Sequence, residues 1–351
     1  MKSLPAIGLR SFFHRRVLRG KQSRKALLHL LVATAVAGSA VFLPAVASAQ
    51  GFPNKPIRLI LRAPPGGADD IQARLLAGEL TPMLGQQVVV DYRPGAGGLV
   101  AWEFMTKAPP DGYTIMLTAS GLTSVRSLRP SVTIDPWRDY AWVSMVSTFM
   151  LMFTAHPSLP VKNLKDVIAL ARKRPGDMSY GSTGTGATPH LAMEYLKSMA
   201  KIDIQHVPYR GAGPMWLDVF GGRLELATST TASPVPYIKA GRLRALGVTG
   251  SKRLPELPEV PTVAEGAGLP GFEFEGFYAI IAPAGTPKEI VNQLSAAVNK
   301  VIAAPGFKEK FRSAAGGFEA VGSTPEQLLD IAKKDGAKVD SIVRVANIKA
   351  E

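Results

Sequence analysis

No cysteine occurs in the 351 residues. That removes thiolate zinc sites, iron–sulfur clusters, disulfide scaffolds and cysteine nucleophiles together. Of five histidines, His14 and His29 fall in a basic leader, and His156, His190 and His206 lack metal-ligand spacing. There is no Gly-x-Ser-x-Gly elbow and no Ser-x-x-Lys in a setting that would activate the serine. Gly184-Thr185-Gly186 follows a strand pattern, with Asp203 downstream, but Pro189 occupies the place of the third glycine in a dinucleotide fingerprint. Gly95-Ala96-Gly97-Gly98 lacks the Lys-Ser/Thr ending of a phosphate loop and reads as a tight turn.

Two other segments point to anion binding. Pro65-Gly66-Gly67-Ala68 and Ser182-Thr183-Gly184-Thr185-Gly186-Ala187 each follow a strand pattern and precede a helix pattern. Unpaired N–H groups and the positive dipole end gather at a helix N-terminus, glycine admits a close backbone approach, and Ser and Thr add hydroxyl donors. One such turn per lobe would hold a carboxylate, and without an activated nucleophile or metal cluster, binding fits better than catalysis. The enzymatic rival is an acyl hydrolase using Ser182 and His190, eight residues apart, with nothing to supply a third orienting group.

The elements that must aim these turns alternate strand with helix. Ile57–Leu61 reads as a buried strand, and Ile71, Leu75, Leu76 and Leu80 follow at helical spacing with Asp69 or Asp70 placed to cap. Val88–Val90 and Thr114–Thr118 are further strands, which implies parallel βαβ units. The 22 uncharged residues from Tyr140 to Val161 carry too many Ser, Thr and Pro for a membrane span and read as long strands crossing between lobes. A second series runs helix Leu164–Arg174, strand Met178–Gly181, helix Pro189–Met199, strand Ile204–Val207, helix Met215–Phe220, and strands Leu224–Ala227 and Leu243–Val248. Leu254–Pro270 reads as a Pro-rich loop, and Phe277–Ala282 as a returning strand. Thr286-Pro287-Lys288-Glu289 and Thr324-Pro325-Glu326-Gln327 read as capping boxes, so two helices close the chain. The fold class is therefore α/β with two lobes around a cleft. Residues 50–145 and 275–351 form lobe 1, and 146–274 form lobe 2.

The formal charge of +14 suggests nucleic acid until it is located. Residues 1–49 hold eight Lys and Arg, no Asp or Glu, an apolar run Leu27–Val46 and the ending Ala47-Ser48-Ala49. These are the parts of a secretory signal peptide. Arg15-Arg16 leaves the choice between the general and the twin-arginine export route open. Cleavage after Ala49 leaves 33 Lys and Arg against 27 Asp and Glu, a net +6. That suits an anionic small molecule better than nucleic acid, which is not an expected partner.

A series of segments then matches a known family: Phe52-Pro53-Asn54-Lys55-Pro56-Ile57-Arg58, Pro65 through Arg74, Leu84 through Val90, Arg93 through Gly98, Pro110 through Thr114, His206 through Gly211 and Ala282 through Pro287. In order, over the whole mature chain, they resemble the tripartite tricarboxylate transporter solute-binding proteins, the Bordetella uptake gene family. The resemblance implies a periplasmic, type II-like two-lobed binding protein. Such a protein closes on a small carboxylate and delivers it to large and small integral-membrane subunits, as a monomer without cofactor, metal or catalytic residues. Carried over residue by residue, the substrate site comprises Ala63, Pro65, Gly66, Gly67, Ala68 and Asp70 in the first lobe, with Ala119 and Ser120 at a strand end. Ser182, Thr183, Gly184, Gly186, Ala187 and Ser229 supply the second lobe. Asp70 has a second reading as a helix cap that only orients N–H groups. Two departures bear on the ligand: Ala63 stands where an aromatic residue is usual, next to the uncommon charge of Arg62, and Ser229 stands where Asp is frequent. Without that carboxylate to pair with an ammonium, the expected ligand is a mono-, di- or aromatic carboxylate rather than an amino acid. A ligand sensor for a membrane receptor is the alternative role.

Overall fold

Ile57–Leu61 forms β1, and its side chains alternate between two cores: Ile57, Leu59 and Leu61 face one, Ile60 the other. A strand apolar on both faces needs cover on both, which helices on either side of a parallel sheet provide. The computed structural model describes residues 51–315 and 317–348, so the expected signal peptide lies outside the described residues.

After β1 come α1 (Ala68–Leu84), β2 (Val88–Tyr92), α2 (Leu99–Thr106), β3 (Thr114–Ala119) and α3 (Val125–Leu128). The chain continues through β4 (Tyr140–Ala155), α4 (Leu164–Lys173), β5 (Ser179–Ser182), α5 (Thr188–Ala200) and β6 (Gln205–Pro208). Next are α6 (Ala212–Phe220), β7 (Leu226–Thr230), α7 (Val235–Lys239), β8 (Arg244–Val248) and α8 (Val263–Ala267). It closes with β9 (Glu275–Pro283), α9 (Lys288–Ala303), α10 (Pro305–Ala315), β10 (Phe318–Ala320) and α11 (Pro325–Val345).

The strand order is β2-β1-β3-β9-β4-β7-β5-β6, with β10 and β8 also paired to β4. The triplets β2-β1-β3 and β6-β5-β7 are parallel within themselves, as the alternation of strands and helices requires. They are joined through antiparallel pairings of β9 and β4. β4 serves both lobes: Tyr140–Met150 pairs with β9, and Leu151–Ala155 pairs with β7. The long uncharged segment is thus one crossing strand rather than several. Its buried hydroxyls are satisfied inside the protein. Ser147 donates to Gln72 Oε1 at 2.6 Å, Ser144 to the Ser323 carbonyl at 3.1 Å and Thr154 to the Ala227 carbonyl at 3.1 Å.

Four expectations change. The Pro-rich stretch 254–270 contains α8, started by a complete capping box between Thr262 and Glu265. The Thr324 box is present, but the Thr286 box is not. Pro287 is the N-cap of α9, and the Thr286 hydroxyl turns back to the Pro283 carbonyl at 2.7 Å. Three helices, not two, close the chain, because α10 and β10 stand between the expected pair. Neither Asp69 nor Asp70 is the N-cap of α1; Gly67 is, in an extended conformation.

Where β4 changes partner, Phe149 lies directly across from Gly276 on β9. Its ring also meets Tyr278 and Phe318 at centroid distances of 5.5 and 5.4 Å. A Cβ at Gly276 would sit 2.2 Å from the Phe149 ring. Gly276→Ala must therefore displace a packed aromatic, and urea unfolding should show a loss of about 1–3 kcal/mol. A variant as stable as the parent would contradict this packing.

Candidate functional site

The second-lobe turn is shaped by its glycines. β5 ends at Ser182, Gly184 and Gly186 adopt φ of 134° and 76°, and α5 begins at Thr188 with Pro189 in its first turn. Those angles are open to glycine and strained for other residues. Beneath the turn, Ser182 is fully buried; its Oγ accepts the Gly184 N–H at 3.2 Å and lies 2.7 Å from His206 Nε2. His206 stacks on His190 at 3.9 Å between centroids and on Tyr180 at 4.9 Å. His190 Nδ1 accepts the Gly186 N–H at 3.0 Å, so that nitrogen must be unprotonated. Burial and the nearby Lys197 ammonium push the His190 imidazole down to about 4; burial, then His190, push His206 down to about 3. Two neutral imidazoles thus brace the turn from below. The rival pairing of Ser182 with His190 is not what forms: Ser182 meets His206, and His190 is committed to Gly186.

In the first lobe, the turn Pro65-Gly66-Gly67 is exposed and Gly66 has φ of 91°. The Gly66 N–H donates to Asp70 Oδ2 at 2.8 Å, while Asp70 Oδ1 accepts from Arg74 Nε at 2.7 Å and Tyr92 Oη at 2.6 Å. Burial opposes ionisation of Asp70, yet the bonds from Tyr92, Gly66 and Arg74 outweigh it and hold the carboxyl below its usual range. Asp70 therefore fixes the shape of the turn. Beside it, Arg62 Nε lies 3.3 Å from Asp69 Oδ2 without hydrogen-bond alignment, and Tyr278 Oη donates to Asp69 Oδ1 at 2.7 Å.

A cavity of about 810 Å³ lies between these elements. It is lined by Arg62, Trp102, Ala119, Arg129 and Tyr278, among others, by Phe149 on the crossing strand β4, and by Thr183–Pro189, Tyr209, Arg210 and Ser229. Of the expected site residues, Ala119, Thr183, Gly184, Gly186, Ala187 and Ser229 line it. Ala63, Pro65, Gly66, Gly67, Ala68 and Asp70 do not, Ser182 lies beneath the turn, and Ser120 lines a separate cavity of about 10 Å³. Arg129 and Arg210 also line it, and neither is among the residues expected from the sequence. Arg210 falls within the segment His206–Gly211, ahead of Gly211 at φ 104°, but nothing local marks Arg129.

No Asp or Glu lines the cavity among the described residues, whereas three arginines do. Ser229, on β7, keeps its hydroxyl on the Thr230 carbonyl at 3.2 Å. Among the described residues no group of three or more His, Cys, Asp or Glu is placed to hold a metal ion. The arrangement offers backbone N–H groups, hydroxyls and guanidinium groups to an anion, with aromatic faces for an apolar body.

The imidazoles have a measurable consequence. Both are held below the unfolded value of about 6.5, so below that pH the unfolded chain binds protons that the folded chain refuses. Stability should fall as the pH is lowered from about 6.5 towards 4, and His190→Phe should flatten part of that fall in urea titrations. An unchanged pH profile in the variant would count against a neutral, buried His190.

Known proteins are similar to this chain in sequence and in overall fold. A protein in the tcbD–tcbE intergenic region of Pseudomonas sp. (strain P51) is 38% identical over 294 residues, 84% of this chain and 87% of that protein. Protein BugT of Bordetella pertussis is 34% identical over 304 residues, covering 86% and 90% respectively. The solved structure of R. palustris Rpa4515 with adipate superposes with a TM-score of 0.77 at 33% identity, covering 86% of this chain and all of the other. A family model described as the tripartite tricarboxylate transporter family receptor matches residues 72–348. With its two-lobed α/β fold and the extent of these matches, the chain belongs to the tripartite tricarboxylate transporter receptor family, whose members are solute-binding proteins.

Proposed function

We propose that this chain is a periplasmic solute-binding protein that captures a small organic carboxylate between its lobes and performs no chemistry on it. A cleft with three arginines, and no acidic residue among the described ones, supports this reading most directly. An anion leaving water needs charged or dipolar partners, whereas an ammonium would need the carboxylate that Ser229 does not supply. The adipate in the R. palustris relative is a dicarboxylate, which agrees. The primary carboxylate rests on the Thr183–Ala187 turn, with Ala119 opposite. The exposed first-lobe turn, Pro65–Ala68, swings against the ligand when the lobes close, and Asp70 keeps it in shape.

The lobes comprise residues 50–145 with 275–351, and 146–274; the change of β4 partner, between Met150 and Leu151, supports a boundary within β4, a few residues further along the strand. Closure about β4 and β9 is driven by differential contacts with the ligand in the closed form. The mature chain begins at Gln50 after export, acts as a monomer, and hands its ligand to large and small membrane subunits.

Calorimetric titration separates this from an amino-acid carrier. Carboxylates should bind the parent, and Ser229→Asp should weaken them by roughly tenfold or more by placing a like charge in the cleft. Binding confined to amino acids, or carboxylate affinity unmoved by Ser229→Asp, would contradict the reading.

A further inference from the structure

Arg129 and Arg210 are unlike the other charged groups at the cleft. Arg129 ends α3 in the first lobe, and Arg210 follows β6 in the second. Both line the 810 Å³ cavity, and neither has a carboxylate within ion-pair distance among the described residues, whereas Arg62 has Asp69. Room for the Arg129 guanidinium comes from the glycine turn: a Cβ at Gly97, which has φ of 67°, would lie 3.2 Å from one of its nitrogens.

Two uncompensated cations on opposite walls of one closing cleft repel each other more strongly as water leaves. A single carboxylate on the Thr183–Ala187 turn brings only one negative charge against their two positive ones. A second anionic group on the same ligand would neutralise them, and Trp102, Phe149 and Leu128 on the wall offer apolar surface to the segment joining the two groups.

Resting on the carboxylate-binding reading above, we propose that Arg129 and Arg210 are specificity-determining residues that hold a second anionic group of the ligand. The protein then selects dianions bridged by an apolar chain or ring over monoanions of the same size. A guanidinium presents a fixed fork of donors to a carboxylate, so the recognition is directional and lysine is an incomplete substitute.

Matched pairs test this by calorimetry: succinate against butanoate, suberate against octanoate, and terephthalate against benzoate. At least one dicarboxylate should bind the parent about tenfold or more tightly than its monocarboxylate partner, with affinity falling more steeply in salt. Arg129→Gln and Arg210→Gln should each weaken that dicarboxylate by about tenfold more than its monocarboxylate partner, and retain the parent thermal midpoint. Arg129→Lys and Arg210→Lys should recover only part of the loss. Equal binding of both members of every pair, or glutamine variants that lose both members alike, overturns the two-anion proposal and leaves the carboxylate reading standing. Failure of every carboxylate to bind overturns both.

Discussion

A single strand has to satisfy two sheets. β4 crosses the molecule with sixteen residues, and its backbone donors and acceptors must be paired along its length because burial leaves them no water. It meets that demand by pairing with β9 up to Met150 and with β7 from Leu151 onward. The parallel triplets on either side are thereby held with the ends of β3 and β5 at the same cavity. The turn after β5 and the side chains of Ala119 and Arg62 face one another because the strands that carry them are tied to that shared element. Phe149 and Gly276 sit at the change of partner, where the packing leaves no space for even one added methyl group.

Electrostatics then decide what the cavity admits. The turn at Gly184–Ala187 presents backbone dipoles, and the stacked imidazoles beneath it are kept neutral by burial, so they shape the turn without adding charge. The two acidic groups beside the first-lobe turn are each engaged: Asp70 by Gly66, Arg74 and Tyr92, and Asp69 by Tyr278 with Arg62 nearby. Guanidinium groups are left facing the cavity without an acidic lining residue among those described. Such a surface repels a ligand ammonium and favours an anion well before contact.

How much of this could be read from the sequence depended on how local each cause was. β1 is legible at its true bounds because five consecutive apolar-dominated residues need no partner to declare a buried strand. The second-lobe turn was readable because glycine, serine and threonine act on their own backbone. Thr324 began its helix as read, whereas Thr286 did not, since the same four-residue pattern leaves open which residue the chain uses as N-cap. The Thr262–Glu265 box lay in plain view but was masked by surrounding prolines. Arg129 and Arg210 were invisible as a pair. Their significance comes from a shared cavity and from the carboxylates that are not beside them, which only the tertiary structure reveals.

The central claim is that an arginine-lined cleft without an acidic lining residue selects a carboxylate, and the ligand carried by the protein from its own source tests it most directly. Mass spectrometry of small molecules released on denaturing freshly purified protein should find an organic carboxylate in near-stoichiometric amount. Release of an amino acid or another cation-bearing molecule in that amount, with no carboxylate lacking an ammonium, would contradict the account.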